Sequence, residues 1–353
     1  MNEYSFINDD KPLLPLYWLA IRLTSVNAYI YEFLDKLFKK IYTKKERMWK
    51  MLLKSRKESE NLLLYRSLFL RMSLCEKDVS HYQRLEKGYA GELLFDQYVS
   101  SLTNEFLLLN DVLLDFGNNL FQMDSLAIFQ ESVLLFEIKN FEGDFIVRGD
   151  RWYTLSDKEI KNPLEQLQRS ESLLRRFLQE HGCMLPIEPF LVFVNPEFTL
   201  YQAPMKTPII YPTQIQRLLR TLANKPTKTT HLHEKMANKL LTHHLSTSPI
   251  IRKPDYSYEI LQKGIYCSHC YTFFKEATET RLVCSCGTIE SIDDAIVRSV
   301  HEFMLLFPDR LVTTNGIYEW CGGVVKSRRL IRRVLLQNFK RYGNKRSTYF
   351  SGS

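Results

Sequence analysis

Apolar and polar positions follow two different periods along the chain, and these periods predict its central elements. Two apolar runs of strand length, residues 122–129 and 132–139, flank a short polar break at Gln130 and Glu131. Residues 162–180 instead carry apolar side chains at helical spacing after an Asn-Pro pair, which is typical of a helix start. We therefore predict a β-hairpin followed by a helix in the middle of the chain.

Further elements surround this hairpin. A helix is predicted to begin at the EKGYAGE stretch, where Gly88 and Gly91 would permit close approach to a sheet. Other strands are predicted near residues 106–115, 144–148 and 189–196, and other helices over residues 213–223 and 233–245. A helix, mostly antiparallel strands, a helix and a last strand form an α/β layer arrangement.

These patterns also predict domain boundaries. The six regions are a helical basic extension over residues 1–50, a helical lead-in over residues 51–86, a central α/β domain over residues 87–200, a basic linker with helices over residues 201–255, a cysteine-bearing unit over residues 256–291 and a basic helical region over residues 292–353. The extension contains a basic amphipathic helix, which suits a membrane or nucleic-acid surface but more often packs on another helix. We favour packing. Because Met51 would itself make a reasonable start, residues 1–50 are expected to be an appendage or a start-site artefact.

The composition limits the class of protein. With 353 residues, 45% of them hydrophobic, the chain is long enough for two or three domains. No apolar run approaches the roughly 18 residues of a membrane span, and no signal-peptide pattern is present. Seven cysteines, four of them in tight pairs, indicate metal ligation in a reducing compartment rather than a disulfide framework. We expect a cytoplasmic protein without a transmembrane segment, and we leave a homodimer and a protein partner open.

Charge is distributed unevenly along the chain. The net charge is +8, yet residues 87–200 carry −9 and residues 322–353 carry +9. An acidic centre between basic segments suggests chemistry in the middle and contact with a polyanion at the edges. The alternative is that the basic segments only keep the protein soluble, and charge alone does not separate the two.

The predicted hairpin carries charged residues on strands that are otherwise apolar. If the turn has two residues, Asp124 lies opposite Glu137, and Lys139 lies on the same face of the sheet. Facing like charges destabilise a sheet, so a divalent cation with oxygen ligands is one explanation of the pair. A structural ion cluster, in which Lys139 neutralises the carboxylates, is an equally good explanation from the hairpin alone.

The neighbouring motifs favour the metal site. In order, GYAGE, QMD, EIKNFEG and NPLEQ resemble the nuclease-related domain found in many bacterial proteins, over roughly residues 86–200. That domain is similar to the restriction-endonuclease-like superfamily, whose site is a D…(D/E)-x-K arrangement. The resemblance implies a restriction-endonuclease-like central domain, in which helices flank a mixed sheet. Met123 stands where the superfamily often has proline.

The resemblance also implies roles for particular residues. The implied metal ligands are Asp124 and Glu137. Lys139 is implied to position or activate the attacking water, and Glu92 and Gln166 are implied to be supporting site residues. The implied cofactor is Mg²⁺ or Mn²⁺, and the backbone carbonyl of Ile138 would complete its shell. Such an ion would polarise the phosphate and lower the pKa of water.

Two cysteine pairs follow the linker. CSHC at residues 267–270 and CSC at residues 284–286 have a spacing that suits tetrahedral Zn²⁺ in a closed, structural site. We predict a zinc ribbon whose strands are YTFF and RLVC, with Gly287 in the second knuckle. The predicted ligands are Cys267, Cys270, Cys284 and Cys286, His269 being an alternative ligand, while Cys75, Cys183 and Cys321 are predicted to be lone core cysteines.

The basic region after the cysteines predicts two helices, a Gly-Gly turn, a third helix over residues 325–340 and a short strand pair. Thr314 or Asn315 would cap the second helix. This winged-helix-like order suits DNA binding. The residues predicted to contact phosphates are Lys326, Arg328, Arg329, Arg332 and Arg333. The alternative is a solvated basic helix packed on its domain.

Three functions are consistent with these features. The first is a metal-dependent nuclease acting on DNA, with the zinc ribbon and the basic region holding the nucleic acid. The second is a non-catalytic nucleic-acid-binding module whose nuclease-like domain is structural. The third is a membrane-surface scaffold that binds through residues 27–50.

Overall fold

The computed structural model describes residues 52–249, 252–278, 280–344 and 347–352. At their centre lies a six-stranded sheet, in the order β1-β2-β3-β4-β8-β10. Its strands are β1 (Leu52–Lys54), β2 (Leu107–Phe116), β3 (Asn119–Ile128), β4 (Val133–Lys139), β8 (Ile187–Phe193) and β10 (Ile209–Ile210). The β2–β3 and β3–β4 pairs are antiparallel, and the other three pairs are parallel. The predicted mixed sheet is confirmed.

The β3–β4 hairpin has the predicted register. Leu126 pairs with Leu135, and the backbone N–H of Phe129 donates to the carbonyl of Ser132 at 2.9 Å across a two-residue turn. The ladder ends at the next pair, Ser125 with Phe136, and continuing its register by one residue places Asp124 opposite Glu137.

Helices cover both faces of this sheet. They are α2 (Glu76–Val99) and α4 (Ile215–Ala223) on one face, and α3 (Pro163–Glu180) and α5 (His231–Thr242) on the other. A 3₁₀ turn, Pro212–Gln214, precedes α4. The α3 helix begins as predicted, because the side chain of Asn162 caps it by accepting from the N–H of Leu164 at 3.0 Å.

The position of the two glycines in α2 differs from the prediction. This helix begins at Glu76, so Gly88 and Gly91 lie inside it rather than at its start. A Cβ on Gly91 would lie 2.5 Å from the Cβ of Asn140. The absence of a side chain therefore lets α2 pack closely on the end of β4.

A second sheet was predicted only in part. It has four strands in the order β7-β6-β5-β9, which are β5 (Gly143–Arg148), β6 (Arg151–Thr154), β7 (Glu159–Ile160) and β9 (Phe198–Tyr201). Only β5 was expected. Strands of two to four residues are too short for an alternating pattern to identify them.

The lead-in is not entirely helical, which corrects the prediction. It opens with the edge strand β1 and continues into α1 (Glu60–Arg71). Leu64, Tyr65 and Leu68 of α1 are buried in the core of the C-terminal half rather than against the central sheet.

The C-terminal half has the winged-helix-like order that was predicted. Its elements are the hairpin β11 (Arg281–Val283) and β12 (Ile289–Ser291), the helices α6 (Ile292–Leu306), α7 (Thr314–Trp320) and α8 (Arg328–Asn338), and the hairpin β13 (Lys340–Tyr342) and β14 (Tyr349–Ser351). Val312, between α6 and α7, forms an isolated antiparallel bridge with Phe350 of the terminal hairpin. Gly322 and Gly323 make the turn between α7 and α8, both with positive φ.

Some details of this half differ from the prediction. Thr313, rather than either of the next two residues, caps α7, because its side chain accepts from the N–H of Gly316 at 3.0 Å. The third helix is shorter than residues 325–340, since Ser327 caps it. RLVC provides β11, whereas YTFF contributes only an isolated bridge between Tyr266 and Phe273.

The predicted extension over residues 1–50 lies outside the described residues. Within the described ranges, no helix has both the length and the apolar character required to cross a membrane.

Candidate functional site

The middle of β3, the C-terminal end of β4 and the first turn of α3 bring four of the predicted site residues together in one cluster. Oδ2 of Asp124 accepts the backbone N–H of Ile138 at 2.7 Å. The Nζ of Lys139 lies 2.6 Å from Oε1 of Glu137 and donates to Oε1 of Gln166, in the first turn of α3, at 3.2 Å. Glu137 is 1% exposed. The α3 helix thus brings Gln166 to the strand residues, as the NPLEQ motif implied.

The backbone of β4 orients Ile138 towards Asp124. The carbonyl of Lys139 accepts from the N–H of Val194 at 3.0 Å, on the β8 side. Neighbouring strand residues point their backbone groups to opposite sides, so the N–H and C=O of Ile138 both point towards β3. The predicted backbone ligand therefore lies on the Asp124 side of β4.

Glu92 reaches this cluster through an arginine that the sequence analysis missed. Arg56, two residues after β1, donates from Nη1 to Oε2 of Glu92 at 2.7 Å and from Nη2 to the carbonyl of Asp124 at 2.9 Å. It also pairs bidentately with Asp96, one turn after Glu92 on α2, at 2.9 and 3.1 Å. Lys54 lies beside it and donates to the carbonyl of Asp111 at 2.7 Å.

A signal for these two cations is present in the sequence. Lys54 and Arg56 are two residues apart, which places them on one side of an extended segment. Because β1 has only three residues, its polarity pattern does not identify it as a strand, and the sequence alone does not place the two cations at the site.

Burial and mutual repulsion dominate the electrostatics of the cluster. Burial, reinforced by Asp124, raises the pKa of Glu137 to about 7, and the same two causes raise the pKa of Glu92 to about 8. Burial also raises the pKa of Asp124. Although burial disfavours the Lys139 ammonium, Glu137 and Asp124 outweigh it and raise its pKa.

The donor set fits a hard divalent cation. When all are ionised, Glu92, Asp96, Asp124 and Glu137 carry four negative charges. In the described part of the chain, Arg56 and Lys139 are the cations that hydrogen-bond to these carboxylates, and Lys161 acts on Glu137 without such a bond. Negative charge is therefore in excess at a buried site whose ligand atoms are oxygens, which are the ligands that Mg²⁺ and Mn²⁺ prefer. The carboxylates are not preassembled: among the described residues, only the four cysteines bring three or more ligating side chains within 4.8 Å of one another.

The predicted zinc ligands form that second site. Sγ of Cys267 lies 3.8 Å from Sγ of Cys286, and Sγ of Cys270 lies 3.3 Å from Sγ of Cys284. The four thiols could therefore hold a zinc ion in a tetrahedral shell. The backbone N–H of His269 donates to Cys267 at 3.4 Å, while its imidazole does not belong to the set.

The remaining cysteines only partly match the prediction. Cys321 is buried, as expected of a core cysteine. Cys183 is half-buried and Cys75 is exposed, so Cys75 is not a core residue, which corrects the prediction.

The predicted phosphate-binding residues lie on one exposed surface, which we call the basic face. Its members are Lys326, Arg328, Arg329, Arg332 and Arg333, on α8 and the turn before it. The guanidinium of Arg328 lies 4.2 Å from the centre of the Tyr318 ring. Arg333 pairs with Asp293 of α6 at 2.7 Å, and the other four have no acidic partner in the described part of the chain.

Comparison with known families identifies the central domain. Neither the curated proteins nor the solved structures gave a match to this chain. Residues 87–194 match the family model of the nuclease-related domain, and that range includes the carboxylate cluster but neither Arg56 nor the cysteines. This chain therefore contains a nuclease-related domain over residues 87–194.

Proposed function

We propose that this protein is a metal-dependent nuclease that hydrolyses phosphodiester bonds of DNA. The observation that carries the proposal is the burial of Asp124 and Glu137 beside Lys139, in register one residue beyond the last pair of the hairpin, within a nuclease-related domain. Two facing carboxylates with a neighbouring ammonium form an arrangement that suits phosphoryl chemistry better than it suits sheet stability.

Each residue of the cluster has a proposed task. Asp124 and Glu137, with the carbonyl of Ile138, would hold Mg²⁺ or Mn²⁺, which when bound supplies polarisation of the phosphate and acidification of water. The ammonium of Lys139 stabilises negative charge that develops on the phosphate. Gln166 accepts a hydrogen bond from Lys139 and thereby fixes the direction of its Nζ. Glu92 is proposed as a supporting carboxylate.

The C-terminal half would hold the substrate. In helix-turn-helix proteins, the second helix of the motif enters the major groove. The helix α8 has the corresponding place in the element order, and arginines of the basic face lie on its N-terminal turns. The terminal hairpin adds the exposed Lys340 and Arg341 beside it. The four-cysteine site would be structural, because four thiolates leave no open position on zinc. These features favour double-stranded DNA as the ligand of this half.

Cleavage assays test the proposal. Supercoiled, linear and single-stranded DNA would be incubated with Mg²⁺, Mn²⁺ or EDTA and with wild type, Asp124→Ala or Lys139→Ala. We expect metal-dependent cutting by wild type and a loss on the order of 10²-fold or more in each variant. Glu131→Ala, in the exposed turn of the same hairpin, is the matched control and should cut like wild type. A folded, zinc-loaded wild type that cuts none of these substrates contradicts the proposal.

A non-catalytic nucleic-acid-binding module is the second candidate. The observation that favours it is that Asp124 and Glu137 are already engaged by Ile138 and Lys139. In that case DNA binding, but no cleavage, should be measured, and the binding should be sensitive to salt and unchanged in Asp124→Ala.

A further inference from the structure

We propose that Arg56, which lies outside the matched range of the nuclease-related domain, is a positioning residue of the candidate active site. Its guanidinium would set the position of the Asp124 main chain and of the Glu92 carboxylate, and so the affinity of the site for its metal ion. The inference rests on the proposed function. It extends the functional unit upstream of residue 87, to the segment that follows β1.

The first observation is a break in the β2–β3 ladder beside Asp124. The ladder pairs Asn110 with Ser125 and Val112 with Met123, but the intervening Asp111 and Asp124 do not pair. Asp111 adopts a left-handed conformation with φ 56°, which an aspartate tolerates better than most residues but which is uncommon within a strand. The break leaves backbone carbonyls without strand partners at the candidate metal ligand.

The cations after β1 satisfy those carbonyls. Arg56 donates to the carbonyl of Asp124 at 2.9 Å. Lys54 donates to the carbonyls of Asn110 and Asp111 at 2.9 and 2.7 Å. Buried carbonyls require partners, so the conformation of β3 at Asp124 depends on this segment. Side chains from a different part of the chain here replace the hydrogen bonds of a sheet.

The second observation is how completely Arg56 is engaged. Its side chain is 2% exposed, and its fork reaches Glu92 and Asp96 on one face of α2 as well as the main chain of β3. A planar, bidentate guanidinium fixes both distance and angle between the groups that it joins. Arg56 thus connects the helix that carries Glu92 to the strand that carries Asp124.

A second arginine in the same region provides a matched control. Arg66 of α1 also joins two carboxylates, Glu58 and Glu86, and its side chain is 14% exposed. Arg66 has no contact with the carboxylate cluster. Substitution of Arg66 therefore reproduces the loss of a guanidinium bridge without a change at Asp124.

The test compares Arg56→Lys with Arg66→Lys in the full-length, zinc-loaded protein. Lysine keeps the positive charge and loses the fork, so the Coulomb effect on cation binding stays the same while the geometry changes. Mn²⁺ binding would be measured by calorimetry without DNA, below the melting temperature of every variant, and kcat and KM for cleavage would be measured at saturating Mn²⁺.

We expect Arg56→Lys to bind Mn²⁺ about 10-fold more weakly and to have a lower kcat with little change in KM, whereas Arg66→Lys binds Mn²⁺ like wild type.

The outcomes separate this inference from the proposed function. If wild type cleaves DNA and Arg56→Lys binds Mn²⁺ as tightly as wild type, the inference is overturned and the nuclease stands. If wild type neither binds Mn²⁺ nor cleaves, both are overturned. If Arg56→Lys does not fold, Asp96→Asn decides, because it keeps Arg56 and removes the carboxylate that holds the guanidinium. Asp96→Asn should weaken Mn²⁺ binding in the same direction, and an unchanged affinity overturns the inference.

Discussion

Arg71 and Glu302, which are 231 residues apart, form a buried bidentate ion pair at 2.9 and 2.6 Å. Arg71 ends α1, and its guanidinium also donates to the carbonyls of Gln262 and Gly264 and lies 4.1 Å from the centre of the Trp320 ring. The same short segment, residues 52–71, therefore contacts the carboxylate cluster through Arg56 and the C-terminal half through Arg71. The lead-in is a structural connection between the two halves of the protein.

Substitution of Arg71 should destabilise the fold strongly. Arg71→Met leaves the carboxylate of Glu302, only 5% exposed, without its cation. We expect the free energy of unfolding to fall by about 3–5 kcal/mol, measured by urea denaturation. The control Arg175→Met removes a surface pair with Glu171 and should cost about 0.5 kcal/mol or less. If the double variant Arg71→Met/Glu302→Gln recovers part of the lost stability, the buried charge of Glu302 is the cause. Equal losses in Arg71→Met and in the control Arg175→Met would contradict this explanation.

Metal binding should release protons at acidic pH. Because burial and Asp124 raise the pKa of Glu137 to about 7, this carboxyl is largely protonated near pH 6 and must lose its proton to bind a cation. Calorimetry in buffers of different ionisation enthalpy should detect more proton release per Mn²⁺ at about pH 6 than at about pH 9, with tighter binding at the higher pH. Proton release that does not depend on pH would exclude Glu137 as a titrating ligand.

The stability of the metal-free protein should change with pH in the opposite direction. A carboxyl whose folded-state pKa is raised binds more protons in the folded state than in the unfolded state. The folded-state pKa values of Glu137 and Glu92 are about 7 and about 8, compared with the usual value of 4.5. The free energy of unfolding therefore decreases as the pH rises from 4.5 to about 8. The melting temperature should fall over this range, and Glu137→Gln should reduce the slope. A slope that is the same in this variant would contradict the assignment.

Removal of zinc should loosen the C-terminal half. Cys267 and Cys284 are buried in the same core as α6 and α7, so the ion would support that core as well as its own loops. Metal analysis should find about one zinc per chain in wild type and much less in Cys284→Ser. Amide hydrogen exchange in α6 should accelerate after chelation. Cys75→Ser, at an exposed thiol, is the control, and equal zinc contents in both variants would argue against the site.

The basic face should determine the salt dependence of DNA binding. Arg329→Ala and Arg332→Ala each remove an exposed cation of α8. Each should reduce the slope of log K against log salt by about 0.9 for every phosphate that the arginine neutralises in wild type, measured by fluorescence anisotropy with a duplex. Arg217→Ala, on an exposed position of α4, should leave the slope unchanged. If all three variants behave like wild type, the basic face does not contact DNA.

Local features of the sequence were sufficient for the hairpin, the α3 helix and the cysteine site. The two-residue turn sets the β3–β4 register, so the placement of Asp124 relative to Glu137 follows from turn length and strand period. Asn162 and Pro163 mark the start of α3 because capping is a property of adjacent residues. The catalytic roles of these residues stay predictions.

Tertiary structure alone decided the contribution of the lead-in. Strand β1 has three residues and pairs with β2 more than 50 positions away, so neither its period nor its neighbours identify it. Arg56 joins the site only after β1 docks at the sheet edge and Asp111 interrupts the adjacent ladder. The parallel pairing of β5 with β9 likewise depends on distant segments. Contacts of this kind depend on how the chain folds back on itself, which short-range patterns of polarity do not encode.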